Sequence, residues 1–221
     1  MRYRVNNLNE GVTITQGLIA INVIVFLYMN LSGVEFSNQI INKFCCSGII
    51  PFDWSNLREG AQNIFESGEY YRFLTANFLH ADILHLFMNM MGLYYLGQTT
   101  EYMIGKRNFI VIYSVCAFGS TLLSALVNVW TDPFTIQRLI GASGAVLGMA
   151  GCLVGIAVYR KINNIYYGIQ INYQPLIMVL GLNVVIGLVP GISFMGHLAG
   201  ILTGLVSGLF YAFLIDKKII K

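Results

Sequence analysis

Residues 194–215 read FMGHLAGILTGLVSGLFYAFLI, a run without a formal charge that carries one imidazole, His197, near its start. Crossing the hydrocarbon of a bilayer takes about 20 largely apolar residues at roughly 1.5 Å of rise each. The run is therefore read as a transmembrane helix. Glycine recurs every fourth position, at Gly196, Gly200, Gly204 and Gly208, the small-residue stripe through which one membrane helix approaches another closely. His197 shares that face, so tight packing presses the imidazole against the neighbouring helix.

Outward from this run the charges stay sparse. It closes an uncharged interval between Lys161 and Asp216, long enough for two spans and a hairpin. Four shorter uncharged intervals, Glu10–Glu35, Asp82–Glu101, Arg107–Asp132 and Arg138–Arg160, hold one span each. The predicted spans are 13–33, 79–100, 108–130, 139–159, 173–189 and 194–215. Only 10% of the 221 residues are charged, against about 25% in soluble proteins, which excludes an ordinary water-soluble globule. Long unbroken apolar runs exclude a transmembrane β-barrel, whose strands alternate over about ten residues. The net charge of +3 is not gathered into a basic stripe, so no nucleic-acid partner is expected. The fold expected is an all-α polytopic membrane protein, a six-helix bundle forming one domain over 1–221, with 1–12 a short cytoplasmic segment. The first apolar run exceeds a signal-peptide core and lacks a small-residue cleavage site, so it is read as a retained helix.

Placing the N-terminus in the cytoplasm puts Arg2, Arg4, Lys106, Arg107, Arg160, Lys161, Lys217, Lys218 and Lys221 inside, leaving Lys43, Arg58, Arg72 and Arg138 outside. The positive-inside rule favours this orientation, with both termini cytoplasmic. Residues 34–78 then form a long outer loop rich in aromatics (Pro51, Phe52, Trp54, Phe65, Tyr70, Tyr71, Phe73). A structureless connection of that length is unusual, so the loop is expected to hold helices of its own or to be functional, with its aromatics at the membrane interface. Cys45 and Cys46 stand together in this loop while Cys116 and Cys152 fall inside spans, and all four are read as packing or unpaired thiols. The lack of a targeting presequence points to a prokaryotic plasma membrane.

Polar side chains inside a span are costly and default to function. Taken singly, Ser143 reads as a helix-packing residue and Asn89 as interhelical glue. Together they fall at one depth. Ser143 lies about four residues and His197 about three into their predicted helices, some 5–6 Å below the outer end. His85 and Asn89, spaced i and i+4, share one face slightly deeper. A serine and a histidine at one level are the minimum for an activated nucleophile. Gly141 and Gly144 flank the serine and let another backbone approach. A helix N-terminus there would aim free N–H groups at an oxyanion, to which His85 and Asn89 could also donate. No carboxylate lies nearby, so a dyad is implied rather than a triad. A metal site is the competing chemistry. On a continuous helix, however, His80 and His85 point about 140° apart, and no H-E-x-x-H occurs. Neither metal nor cofactor is expected.

The stretch 68–105, GEYYRFLTANFLHADILHLFMNMMGLYYLGQTTEYMIG, resembles the second-helix region of rhomboid intramembrane serine proteases. The family's pattern is met by Tyr71-Arg72, by His80, His85 and Asn89 in H-x-x-x-x-H-x-x-x-N, and by Glu101. Gly141-Ala142-Ser143-Gly144 is similar to the family's G-x-S-G motif, and Gly196-His197-Leu198-Ala199-Gly200 to its sixth-helix motif. The resemblance covers residues 68–215. It implies a serine protease with Ser143 as nucleophile and His197 as general base and acid, and an oxyanion site of His85, Asn89 and the Ser143 backbone. His80, Glu101 and Arg72, with Gly141, Gly144, Gly196 and Gly200, take supporting roles. Substrates implied are single-span membrane proteins cut near the outer face of the bilayer, preferentially at small residues, with helix 5 and the loop around Pro190–Phe194 as gates. A catalytically silent relative that binds transmembrane clients is the alternative. Tyr71 replaces the usual tryptophan, and Leu147 stands where many members stack an aromatic ring on the catalytic histidine.

Overall fold

The structure, a computed structural model, describes residues 13–50, 62–131, 137–165, 171–189, 191–217 and 219. Arg2, Arg4, Pro51, Phe52, Trp54, Arg58, Pro190, Lys218 and Lys221 lie outside the described residues. The chain opens with α1 (Ile14–Leu31), whose start is fixed by a capping box in which Thr13 and Gln16 satisfy each other's backbone N–H. Gly33, at φ 95°, turns the chain into α2 (Val34–Phe44). A two-residue antiparallel ladder follows, β1 (Ile49–Ile50) with β2 (Gln62–Asn63). Then come the short helices α3 (Ile64–Ser67) and α4 (Arg72–Thr75) and a 3-10 turn at Ala76–Phe78. The long outer loop thus has helices of its own. Its aromatics divide: Tyr70 and Tyr71 are exposed, whereas Phe73 is buried with Cys46, Ile64, Ala76, Ala125 and Leu139. Phe73 is a core residue of the loop rather than an interfacial one, because it anchors the loop against the next long helix.

The predicted second span is composite. α5 (Ile83–Gly92) passes through a π-helical turn at Leu93–Gly97 into α6 (Gln98–Ile104), an insertion of the kind that accommodates one extra residue without ending the helix. It begins at Ile83 because the Asp82 side chain caps it, accepting from His85 N at 2.8 Å. After it come α7 (Lys106–Thr131), α8 (Ser143–Ile162), α9 (Tyr173–Ile186) and α10 (Phe194–Asp216). Among the described residues four helices, α1, α7, α8 and α10, are long and apolar enough to cross a membrane, and α9 is a shorter apolar helix. The chain is a helical integral membrane protein.

α8 is the axis. Every residue from Gly144 to Ala157 is buried, as expected of a helix apolar on all sides. Around it a single cluster joins Leu18 and Phe26 of α1, Leu86 and Met90 of α5, Phe109 and Ile112 of α7, and Ala212 of α10. The opposite faces of α1, α7 and α10 expose Ile24, Val111 and Val206, surface suited to lipid. α10 lies on α8 through glycine. A Cβ on Gly200, Gly204 or Gly208 would collide with the backbone of Gly144, Gly148 or Cys152, and one on Gly151 or Gly155 with the carbonyl of Ile201 or Leu205. Gly196 differs from the rest of its stripe, facing Ser193 and Ser124 of α7 instead. At the far end Tyr159 donates to Asp216 at 3.1 Å and Tyr211 reaches the Ile104 carbonyl at 3.5 Å.

Candidate active site

The N-terminal end of α8 is where the elements converge. Residue 139 is tied to the outer loop by paired backbone bonds, Cys46 N to Leu139 O at 3.1 Å and Leu139 N to Cys46 O at 2.7 Å. Gly141 then takes φ 105°, open to glycine at no steric cost, and its N–H donates to the Ala76 carbonyl at 3.0 Å. α8 starts at Ser143 itself. Ser143 therefore occupies the first helical position rather than lying four residues inside, because the Gly141 turn cannot continue a helix. The first intrahelical bond runs from Val146 N to Ala142 O at 2.9 Å, leaving the N–H groups of Ser143, Gly144 and Ala145 outside the ladder.

His85 and Asn89 face this turn from α5. A Cβ on Gly141 would stand 2.5 Å from His85 Nε2 and 3.4 Å from Asn89 Nδ2. The absence of a side chain at 141 is what lets both nitrogens approach the backbone preceding the serine. Asn89 spends one N–H on the His85 carbonyl at 3.0 Å, which fixes the amide along the helix.

His197 enters from α10 as its fourth residue, with the helix capped by Ser193, whose hydroxyl accepts from Gly196 N at 3.0 Å. The contacts of Gly144 with Gly200, and of the Gly144 Cβ position with the Gly196 carbonyl at 3.3 Å, hold the residues beside Ser143 against those beside His197. The imidazole is buried at 7% exposure while Ser143 is half-buried. His197 Nδ1 lies 3.1 Å from the carbonyl oxygen of Asn183 on α9. Neither the serine hydroxyl nor His197 Nε2 is engaged in a hydrogen bond among the described residues.

His80 precedes α5 rather than lying on it. Its ring sits 5.0 Å from that of His85 in a T-shaped contact, correcting the expected opposite orientation, which assumed an unbroken helix. Both His80 nitrogens are buried. Among the described residues no three His, Cys, Asp or Glu side chains gather as a metal-binding group. Arg72 braces the outer loop, donating to Glu69 at 2.9 Å and to the carbonyls of Asn42 and Cys45 at 2.7 and 3.0 Å. Glu101 lies away from the site and accepts from Ile14 N, Thr15 N and Thr15 Oγ1 at 2.9, 2.8 and 2.7 Å. Leu147 is buried in a cluster with Leu180 of α9. Sequence reasoning missed Asn183, since its contribution is a backbone carbonyl and no side-chain pattern marks it.

A family model described as "Rhomboid domain" matches residues 67–213. Among curated relatives, "RHOMBOID-like protein 6, mitochondrial" of Arabidopsis thaliana is 32% identical over 71% of this chain and 46% of its own. "Rhomboid protease AarA" of Providencia stuartii is 26% identical over 91% of this chain and 73% of its own. "Putative rhomboid protease YdcA" of Bacillus subtilis (strain 168) is 28% identical over 75% and 77% respectively. The chain spans less than half the length of the Arabidopsis relatives named RHOMBOID-like protein 6, 4, 1 and 5.

Proposed function

The chain belongs to the rhomboid family, and from that premise we propose that it is an intramembrane serine endopeptidase working through Ser143 and His197. The observation that carries the reading is the Gly141 turn. A Cβ at Gly141 would meet His85 Nε2 and Asn89 Nδ2, and Gly144 lies against α10 at the Gly196 carbonyl and Gly200, which supports the reading.

In this reading the Ser143 hydroxyl attacks the carbonyl of the scissile peptide while His197 Nε2 takes its proton. The tetrahedral anion forms against His85, Asn89 and the Ser143 N–H, donors arranged before charge develops. His197 returns the proton to the leaving amine, and water then hydrolyses the acyl-serine by the same relay. Single-span membrane proteins are the substrates, cut near the outer face of the bilayer. The composite helix 83–104 and α9 complete six spans with α1, α7, α8 and α10, in one membrane domain. The Lys and Arg residues at the inner ends of α7, α8 and α10 support cytoplasmic termini in a bacterial plasma membrane.

The test is cleavage of a single-span substrate in liposomes by wild type, Ser143→Ala and His197→Ala, alongside labelling by a fluorophosphonate. Loss of cleavage in both variants, with Ser143 labelled only in the wild type, is expected. Cleavage should also fall on acidification, because a charged imidazole cannot accept the serine proton. Substrate capture without cleavage or labelling would instead assign a silent client-binding role.

A further inference from the structure

A dyad histidine must keep its proton on the nitrogen that faces away from the serine. In a triad a carboxylate enforces this; here no carboxylate among the described residues bonds to the ring, and Leu147 offers no aromatic face. What does meet the far nitrogen is a backbone carbonyl, Asn183 O, at 3.1 Å from His197 Nδ1. A carbonyl oxygen can only accept, so the nitrogen facing it carries the hydrogen and Nε2 is left as the free lone pair. The same oxygen accepts from Gly187 N at 3.0 Å, so both of its lone pairs are used.

This acceptor is held in place by two contacts of α9. At its outer end Gly187 lies against the start of α10, where an added Cβ would stand 2.9 Å from Phe194 Cα. Midway along the helix, Leu180 is its buried residue, and it packs in the cluster that contains Leu147. Leu147, at the position from which an aromatic would stack, thus helps seat the helix that supplies the hydrogen bond. Tyr173 and Leu176 pack beside Leu180, while Met178, Leu182 and Val185 of the same helix are exposed.

We propose that the Asn183 carbonyl is the positioning group of the catalytic histidine, fixing the Nδ1–H tautomer and the ring plane so that Nε2 serves as base. α9 is thereby part of the catalytic apparatus: the base is oriented while α9 is seated on α8 and α10. The inference rests on the dyad reading, but its first test needs no turnover.

Histidine-selective 15N NMR of the Ser143→Ala protein, above the pH at which its histidines titrate, reads the tautomer, with His197→Gln assigning the signal. A protonated Nδ1 with a bare Nε2 is expected. A proton on Nε2 overturns the inference. The second test weakens the acceptor by replacing the peptide linkage between Asn183 and Val184 with an ester; the ester between Gly181 and Leu182, which likewise removes one N–H and weakens one carbonyl within α9, is the control. The first ester should lower kcat about tenfold with KM unchanged, and the control should not. Equal effects of the two esters, or an unchanged kcat, overturn it. If wild type cleaves and labels while His197 carries its proton on Nε2, the dyad stands and this role falls. If Ser143 resists the probe, both fall.

Discussion

Gly141 concentrates two demands in one residue: a φ of 105°, and a site where a Cβ would meet His85 Nε2 and Asn89 Nδ2. Gly141→Ala should therefore reduce kcat by about 10²-fold or more, the loss typical of removing an oxyanion donor, while circular dichroism shows an intact helical fold. Asn89→Ala, which removes one donor and leaves the turn, should lose less than Gly141→Ala in the same assay. The adjacent thiols of the outer loop behave differently from reactive cysteines. Burial pushes Cys45 up to about 11 from 9.0, against the partial relief of the Arg72 charge, and pushes Cys46 up as well. Neither should be alkylated by iodoacetamide near neutral pH in the folded protein, as peptide mass analysis would show. Above pH 9 the unfolded chain releases the Cys45 proton while the folded chain keeps it, so stability falls as pH rises from about 9 to about 11. Thermal melts across that window, against Cys45→Ser, check the sign.

The pairing of α8 with α10 rests on backbone meeting backbone. Gly204 faces the carbonyl of Gly148, between one and two turns along α8 from Ser143 and about two turns along α10 from His197. Gly204→Val puts a branched side chain into that contact. It should lower stability by about 1–3 kcal/mol, and it should lower activity further, because spreading the helices separates serine from histidine. Gly17 and Gly181 have open space where a Cβ would go, so Gly17→Ala is the matched control and should leave both unchanged. The four-residue glycine rhythm announced a packing face. Which helix it met, and that Gly196 turns toward α7, came from the path of the intervening chain.

At the scale of the whole molecule α1 is held by a carboxylate from α6. The Glu101 side chain, 2% exposed, accepts from two backbone N–H groups and the hydroxyl of Thr15 at the start of α1, a charge placed at the positive end of a helix. Glu101→Ala should destabilise the protein by about 3 kcal/mol, measured by thermal unfolding in detergent, while fluorophosphonate labelling of Ser143 below the melting temperature persists. The sequence alone determined that the chain is a helical membrane protein, because an uncharged run of sufficient length has no other stable state in a bilayer. It also marked Ser143, His197, His85 and Asn89 as candidates, since polar groups in such runs stand out by their cost. It could not set where helices begin. α8 starts four residues later than the charge pattern predicts, and His80 falls before α5, because those limits follow from the Gly141 turn, the Asp82 cap and a β-bridge to Cys46. The Asn183 carbonyl beside His197 and the Glu101 cap on α1 belong to the tertiary structure alone. Each joins backbone groups far apart in the chain, and a backbone group carries the same chemistry at every residue, so only the packed helices decide which one meets which side chain.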